Sequence, residues 1–77
     1  MESPLTPNQT KVLNYIVQYF CQNKKAPSQN EISAACQIKQ SNISKYLAAL
    51  DRRGCIVYYN YVPRGIELRN NNGTDFL

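Results

Sequence analysis

The spacing of apolar residues changes at Gly54, and this change constrains the fold more than any other feature of the chain. Before Gly54, apolar residues recur every three or four positions, which is typical of amphipathic helices. After it, residues 55–59 and 65–68 are rich in β-branched, aromatic or alternating apolar residues, which predicts two short strands joined at residues 60–64. The sequence therefore predicts a mainly α-helical chain that ends in a β-hairpin.

Two capping boxes locate the first two helices. Thr6 and Gln9 are spaced to open a helix over residues 7–23, and Ser28 and Glu31 are spaced to open a second helix of about eight residues. The buried stripe predicted for the second helix consists of Ile32, Ala35 and Cys36.

A third helix is predicted from Gln40 or Ser41 to Arg53, followed by Gly54 as a left-handed cap. Its predicted buried face consists of Ile43, Tyr46, Leu47 and Leu50. Two short helices joined by a tight turn, with a helix before them and a hairpin after them, predict a winged helix-turn-helix. We expect an N-terminal arm at residues 1–5, this domain at 6–69 and a disordered tail at 70–77.

Length and residue types exclude several kinds of function. A chain of 77 residues has room for one domain with a thin core, which argues against a large enzyme with a deep cofactor pocket. The sequence has no His, no phosphate-binding loop and no paired carboxylates in register, so we expect no catalytic residue, metal site, cofactor or small-molecule ligand. Cys21, Cys36 and Cys55 are widely spaced and are interpreted as reduced apolar residues, with a redox sensor as the alternative.

The charge of the chain favours an anionic partner. The formal net charge is +4, and six of the nine basic residues lie from Lys39 onward. The sequence contains neither an apolar run of membrane-spanning length nor a signal-peptide pattern. We therefore expect a cytoplasmic protein that has no membrane partner and binds nucleic acid.

The outward face of the third helix is the candidate reader of DNA bases. If Ile43 marks the buried side, then Ser41, Lys45 and Arg52 lie opposite, with Asn42 and Ser44 at the edges. Such side chains pair with base edges, and small residues let a helix approach them closely. The alternative is an ordinary solvated face, but such a face commonly carries Glu, and this one carries none.

Other residues are candidates for contact with the DNA backbone. Ser28 and Gln29 open a helix whose free N–H groups can hold a phosphate. Arg64 is predicted to reach a phosphate or the minor groove from the hairpin tip, with a solvated turn residue as the alternative. The remaining backbone candidates are Lys39, Arg52 and Arg53.

The tyrosines of the hairpin leave two interpretations open. At least one of Tyr58, Tyr59 and Tyr61 should pack on the core, because alternate strand residues face opposite sides. An exposed one is available for a phosphate, a partner protein or a second copy of the chain.

The sequence resembles the N-terminal DNA-binding domain of the LexA repressor family across residues 5–68. The matching segments are Leu5-Thr6-x-x-Gln9-x-x-Val12-Leu13-x-x-Ile16, Pro27-Ser28-x-x-Glu31-Ile32, Leu47-x-Ala49-Leu50-x-Arg52-x-Gly54-x-Ile56 and Arg64-Gly65-Ile66-x-Leu68. This resemblance implies a winged helix-turn-helix that binds an operator with its third helix in the major groove. It also implies that Ser41, Asn42, Ser44 and Lys45 occupy the base-reading positions.

The chain departs from the family pattern in several respects. Gln37 stands in the turn where the family usually has Gly, and we expect it to adopt a left-handed conformation at a cost of about 1 kcal/mol. The turn is also about one residue shorter. The base-reading residues differ from the usual ones, so no operator sequence is implied. We expect no counterpart here of the family's self-cleaving protease domain, of its Ser–Lys dyad or of the dimerisation that this domain provides.

These observations predict a sequence-specific, double-stranded DNA-binding transcriptional regulator that represses by promoter occlusion. Two copies on a palindromic operator would supply the specificity that one module lacks. The alternative is a winged-helix protein-interaction module of a mobile element, which binds a repressor, polymerase or nuclease.

Overall fold

The computed structural model describes residues 5–68, and the predicted 70–77 tail and most of the predicted arm lie outside them. Three helices precede a two-stranded hairpin, which confirms the predicted winged helix-turn-helix. The helices are α1 (Pro7–Asn23), α2 (Gln29–Cys36) and α3 (Gln40–Arg52), and the strands are β1 (Ile56–Tyr58) and β2 (Ile66–Leu68). The hairpin, from β1 to β2, is called the wing below.

Both predicted capping boxes are formed. The backbone N–H of Gln9 donates to Thr6 Oγ1 at 3.2 Å, and the Thr6 N–H donates to Gln9 Oε1 at 3.1 Å. The backbone N–H of Glu31 donates to Ser28 Oγ at 3.2 Å, and the Ser28 N–H donates to Glu31 Oε1 at 2.8 Å. These bonds satisfy N–H groups that helix geometry leaves without partners, and they fix where each helix begins.

The turns between elements use left-handed residues. Gln37 ends α2 with φ 57° and ψ 45°, which confirms the conformation predicted for it. Gly54 has φ 80° and follows α3 as the predicted cap, while Arg53 lies just beyond the last helical residue. Because glycine has no Cβ, Gly54 takes this conformation at little cost.

All five elements contribute to one buried core. Its members are Val12, Ile16, Ala26, Ile32, Cys36, Ile43, Leu47, Leu50, Ile56 and Ile66. Ala35 was predicted in the α2 stripe, but it is exposed, since only Ile32 and Cys36 of that helix are buried. Ala35 lies on a side of α2 that no other element within residues 5–68 covers, which accounts for the error.

The wing is a minimal antiparallel hairpin that packs on the C-terminal half of the motif. Ile56 pairs with Leu68, and Tyr58 pairs with Ile66. Ile56 and Ile66 are both buried and attach the hairpin to the core. Two strands of three residues are only marginally stable alone, so the position of the wing depends on its contacts with the helices.

Candidate nucleic-acid interface

The outward face of α3 is held in place by the core beneath it. Ile43, Leu47 and Leu50 are completely buried, so the opposite face of the helix is fixed toward solvent. Ser41, Lys45 and Arg52 are exposed, whereas Asn42 and Ser44 are half-buried at the edges. The helical spacing therefore predicted which side of α3 is available to a partner.

The only acidic residue in the α3 sequence does not lie on that free face. Asp51 is half-buried, and its Oδ2 accepts a hydrogen bond from the backbone N–H of Tyr58 at 3.3 Å. The carboxylate thus faces β1. This arrangement leaves Lys45 and Arg52 to set the sign of the local potential on the exposed face.

A chain of hydrogen bonds links α3 to the wing through α2. Ser44 Oγ donates to Gln29 Oε1 at 3.2 Å, and Gln29 Nε2 donates to Tyr58 Oη at 2.8 Å. Ser44 and Gln29 were both predicted to contact DNA, and each already has a partner within the protein. The hydroxyl of Ser44 keeps its lone pairs and the amide of Gln29 keeps one N–H, so both still have hydrogen-bonding capacity.

A groove of about 350 Å³ runs between the start of α2, the start of α3 and the wing. Ser28, Gln29 and Asn30 line one wall, Gln40 lies at the N-terminus of α3, and Tyr61 comes from the wing. Free N–H groups at helix N-termini favour anions. The groove therefore brings the predicted backbone contacts at Ser28 and Gln29 beside the predicted reading helix.

The basic residues differ in their surroundings. The side chains of Lys39, Lys45 and Arg52 are exposed and have no hydrogen-bond or ion-pair partner within residues 5–68. Arg53 is half-buried at the end of α3. The three exposed side chains are therefore free to meet an anionic partner.

Arg64 has the partners that neither sequence interpretation anticipated. Its Nη1 lies 2.8 Å from Glu31 Oε1, and its Nη2 lies 3.1 Å from Glu31 Oε2. Nη1 also donates to the carbonyl of Ala26 at 2.9 Å. The side chain is thus not a freely solvated turn residue, and a role as a phosphate ligand remains a prediction.

The ion pair perturbs the titration of both partners. Hydrogen bonds from Arg64, together with that from the Ser28 N–H, lower the pKa of Glu31 to about 2. The same pairing raises the pKa of Arg64 above its ordinary value. Both residues are therefore charged throughout the physiological pH range.

The wing tyrosines divide between the core and solvent. Tyr58 packs against the core, as predicted for at least one of them. Tyr59 is exposed and donates to Glu67 Oε1 at 3.4 Å, and Tyr61 at the tip is 97% exposed. The tip thus presents an aromatic surface to a partner.

Other kinds of site find no support among residues 5–68. No three His, Cys, Asp or Glu side chains in this part of the chain are grouped to hold a metal ion. Cys21, Cys36 and Cys55 are free thiols, and burial raises the pKa of Cys36. None of the helices described is both long and apolar enough to span a bilayer.

Comparison with known proteins identifies relatives. The family model "LexA DNA binding domain" matches residues 2–65. The LexA repressor of Syntrophotalea carbinolica is 37% identical over 68 residues, which are 87% of this chain and 34% of that protein. The LexA repressor of Shewanella denitrificans is 35% identical over 66 residues, which are 84% of this chain and 32% of that protein. The chain therefore spans about a third of the length of these curated relatives, and the family resemblance is confirmed.

Proposed function

The chain belongs to the family of LexA DNA-binding domains, and from this premise we propose that it is a transcriptional repressor that binds a specific sequence in double-stranded DNA. α3 enters the major groove, and the wing lies over the adjacent backbone or minor groove. Occupation of a promoter blocks transcription without any chemical step. Its ligand is DNA, and the cytoplasm is its proposed site of action.

The composition of the free face of α3 is the observation that supports this function best. Ser41 and Lys45 are both exposed on this face. Ser41 is small enough to let the helix approach the bases, and Lys45 is able to pair with a base edge. Asn42 lies at the edge of the same face. Asp51, the one acidic residue in the α3 sequence, is turned toward β1 and does not oppose a phosphate there. Ser44 remains in the proposed reading set, but it acts from its hydrogen bond to Gln29.

Phosphate contacts would surround this reading surface. We assign them to the basic side chains and to the start of α2, which lines the groove. The proposed contacts are Lys39, Arg52, Arg53, Ser28 and Gln29. Arg64 lies on the same side, but its charge is already paired with Glu31.

Selection of bound sequences from a random duplex library tests the proposal directly. A palindrome with a fixed half-site spacing supports two copies on an operator. Lys45→Ala and Asn42→Ala should each cost about 1–3 kcal/mol at one base position. If both variants bind every operator variant as the parent does, α3 is not the reading helix.

Salt dependence separates phosphate ligands from base readers. Arg52→Ala should weaken binding to all duplexes equally and reduce the slope of log K against log salt by about one. Lys25→Ala removes the same charge from the exposed loop between α1 and α2, and it should leave the slope nearly unchanged. A loss confined to one base pair would make Arg52 a base reader instead.

Assembly on DNA follows from the small apolar surfaces of the domain. A stable interface buries about 800 Å² per partner, whereas the exposed large hydrophobic residues within 5–68 are confined to the wing tip at Tyr59, Tyr61 and Val62. We expect a monomer or weak dimer that pairs on a palindromic duplex, which raises the effective concentration. Sedimentation at micromolar concentration, with and without that duplex, tests this, and a tight dimer without DNA would refute it.

The exposed wing tip favours a second candidate function, a protein-interaction module. Tyr61 is 97% exposed and Val62 is 55% exposed, and aromatic residues are enriched in protein interfaces. Titration with random duplex DNA distinguishes the two functions. Affinity that falls steeply between low and physiological salt supports DNA binding, whereas no binding at low salt supports the interaction module.

A further inference from the structure

Arg64 has an unusual backbone conformation at the point where the wing returns toward the core. Its φ is 55°, in the left-handed region that residues with a Cβ avoid. The next residue, Gly65, is buried, and its N–H donates to the carbonyl of Val62 at 2.9 Å. A non-glycine residue keeps such a conformation only where the surrounding structure holds it.

The Glu31 carboxylate supplies that support by joining three parts of the fold. Oε1 accepts from the Ser28 N–H at the start of α2 and from Arg64 Nη1, both at 2.8 Å. Oε2 accepts from Arg64 Nη2 at 3.1 Å and from the Tyr19 hydroxyl of α1 at 3.3 Å. One side chain therefore connects α1, α2 and the wing.

The guanidinium of Arg64 has the right geometry to bind two groups, the carboxylate of Glu31 and the carbonyl of Ala26. Its planar fork meets both oxygens of Glu31, and Nη1 also reaches the carbonyl of Ala26. A Lys ammonium is a single point donor and does not reproduce the paired contact. The carboxylate also compensates the charge of Arg64, so a phosphate nearby would meet a neutral pair.

We propose that Arg64 is a positioning residue that holds the wing against the start of α2 through its ion pair with Glu31. It affects DNA binding because it fixes the position of the wing, and it does not act as a phosphate ligand. This rests on the proposed function, because it concerns how the wing of a DNA-binding domain is positioned. The contact keeps the wall of the groove formed by the wing beside that formed by Ser28 and Gln29.

Neutral variants of the two partners distinguish positioning from phosphate binding by the sign of the effect. Glu31→Gln keeps an acceptor for the Ser28 N–H, because Gln also serves in a capping box, but it removes the charge that holds Arg64. Under the proposal, Glu31→Gln and Arg64→Gln each weaken operator binding by about fivefold, and the double variant is no weaker than either. If Arg64 binds phosphate, Glu31→Gln tightens binding instead, because it releases the arginine, and the proposal is overturned.

The salt slope and a conservative variant give independent readouts. Arg64→Gln should leave the slope of log K against log salt unchanged, whereas loss of a phosphate contact lowers it by about one. Arg64→Lys should behave like Arg64→Gln, and binding near that of the parent would contradict the proposal. Glu67→Gln removes an exposed negative charge from β2 and measures the general electrostatic effect against which Glu31→Gln is judged.

Amide hydrogen exchange tests the same contact without DNA. The N–H of Tyr59, which donates to the Gly65 carbonyl at 2.7 Å, should exchange about fivefold faster in Glu31→Gln and Arg64→Gln, while core amides of α1 and α3 keep their rates. Unchanged exchange in the wing would overturn the proposal. If the parent fails to bind any duplex, the proposed function fails, but the exchange rates still decide whether Arg64 positions the wing.

Discussion

Replacing Gln37 by glycine should raise the stability of this domain. Gln37 has φ 57° and ψ 45°, a conformation that costs a residue with a Cβ about 1–2 kcal/mol. Glycine avoids that cost, but its greater freedom in the unfolded chain returns roughly 0.5–1 kcal/mol. The Gln37 side chain is exposed and has no hydrogen bond within residues 5–68, so the substitution removes no side-chain hydrogen bond there. These ranges allow a net gain of roughly 0–1.5 kcal/mol, and we expect a value near their middle, about 0.5–1 kcal/mol.

Thermal unfolding followed by far-ultraviolet circular dichroism measures this gain. For a domain of this size, a gain of 0.5–1 kcal/mol corresponds to a rise in Tm of roughly 2–8 °C. Ala34→Gly is the matched control, because Ala34 is exposed and has helical backbone geometry within α2. It should lower stability by about 1 kcal/mol. If Gln37→Gly lowers Tm as Ala34→Gly does, the left-handed turn is not a source of strain.

Three further predictions concern the wing and the core. The ion pair between Glu31 and Arg64 stabilises the folded state only while Glu31 is ionised. Between pH 4.5 and 2 the folded state binds fewer protons at Glu31 than the unfolded state does, so the stabilisation from this pair is complete above pH 4.5 and is lost as pH falls toward 2. The difference in Tm between the parent and Glu31→Gln should shrink over that interval, and a constant difference would exclude the ion pair as its cause. Gly65→Ala places a Cβ 2.7 Å from the carbonyl oxygens of Tyr59 and Val62, so the wing has to move. The amide NMR chemical shifts should therefore change in the wing and not in α1. Unchanged chemical shifts in the wing would contradict this prediction. Leu47→Ala should cost about 2–5 kcal/mol in denaturant unfolding, and a loss below 1 kcal/mol would mean that the core repacks.

Much of the fold was predictable because its signals are local. A capping box lies within four residues, and it locates α1 and α2 to their first residue. The helical spacing of Ile43, Leu47 and Leu50 likewise determines which face of α3 is buried. These features depend on backbone geometry and on one buried side, and neither requires knowledge of the neighbouring element.

The errors and omissions arise where two distant segments meet. Ala35 has the spacing of a buried residue, but no element in the described part of the chain, residues 5–68, covers that side of α2. Gln29 and Tyr58 are 29 positions apart, and Glu31 and Arg64 are 33 apart. The spacing of Glu31 accounts for one of its oxygens as a capping acceptor, but it gives no sign that both oxygens receive an arginine from the wing.

The predicted DNA contacts fall into two groups, exposed side chains and side chains that also join distant segments of the chain. These two groups respond differently to substitution. The side chains of Lys45 and Arg52 are exposed and have no partner within residues 5–68. Replacing either one therefore removes a predicted contact with DNA and leaves the shape of the rest of the protein surface unchanged. Gln29 and Ser44 also hold α2, α3 and the wing together, so their removal changes the shape of the surface as well. Loss of affinity on alanine substitution at Gln29 or Ser44 is therefore insufficient to assign a DNA contact, because loss of this internal support predicts the same result. A DNA contact is assigned to either position only if its alanine substitution changes the base preference or the salt slope of DNA binding. The amides of the wing must keep their protection from hydrogen exchange in the same variant.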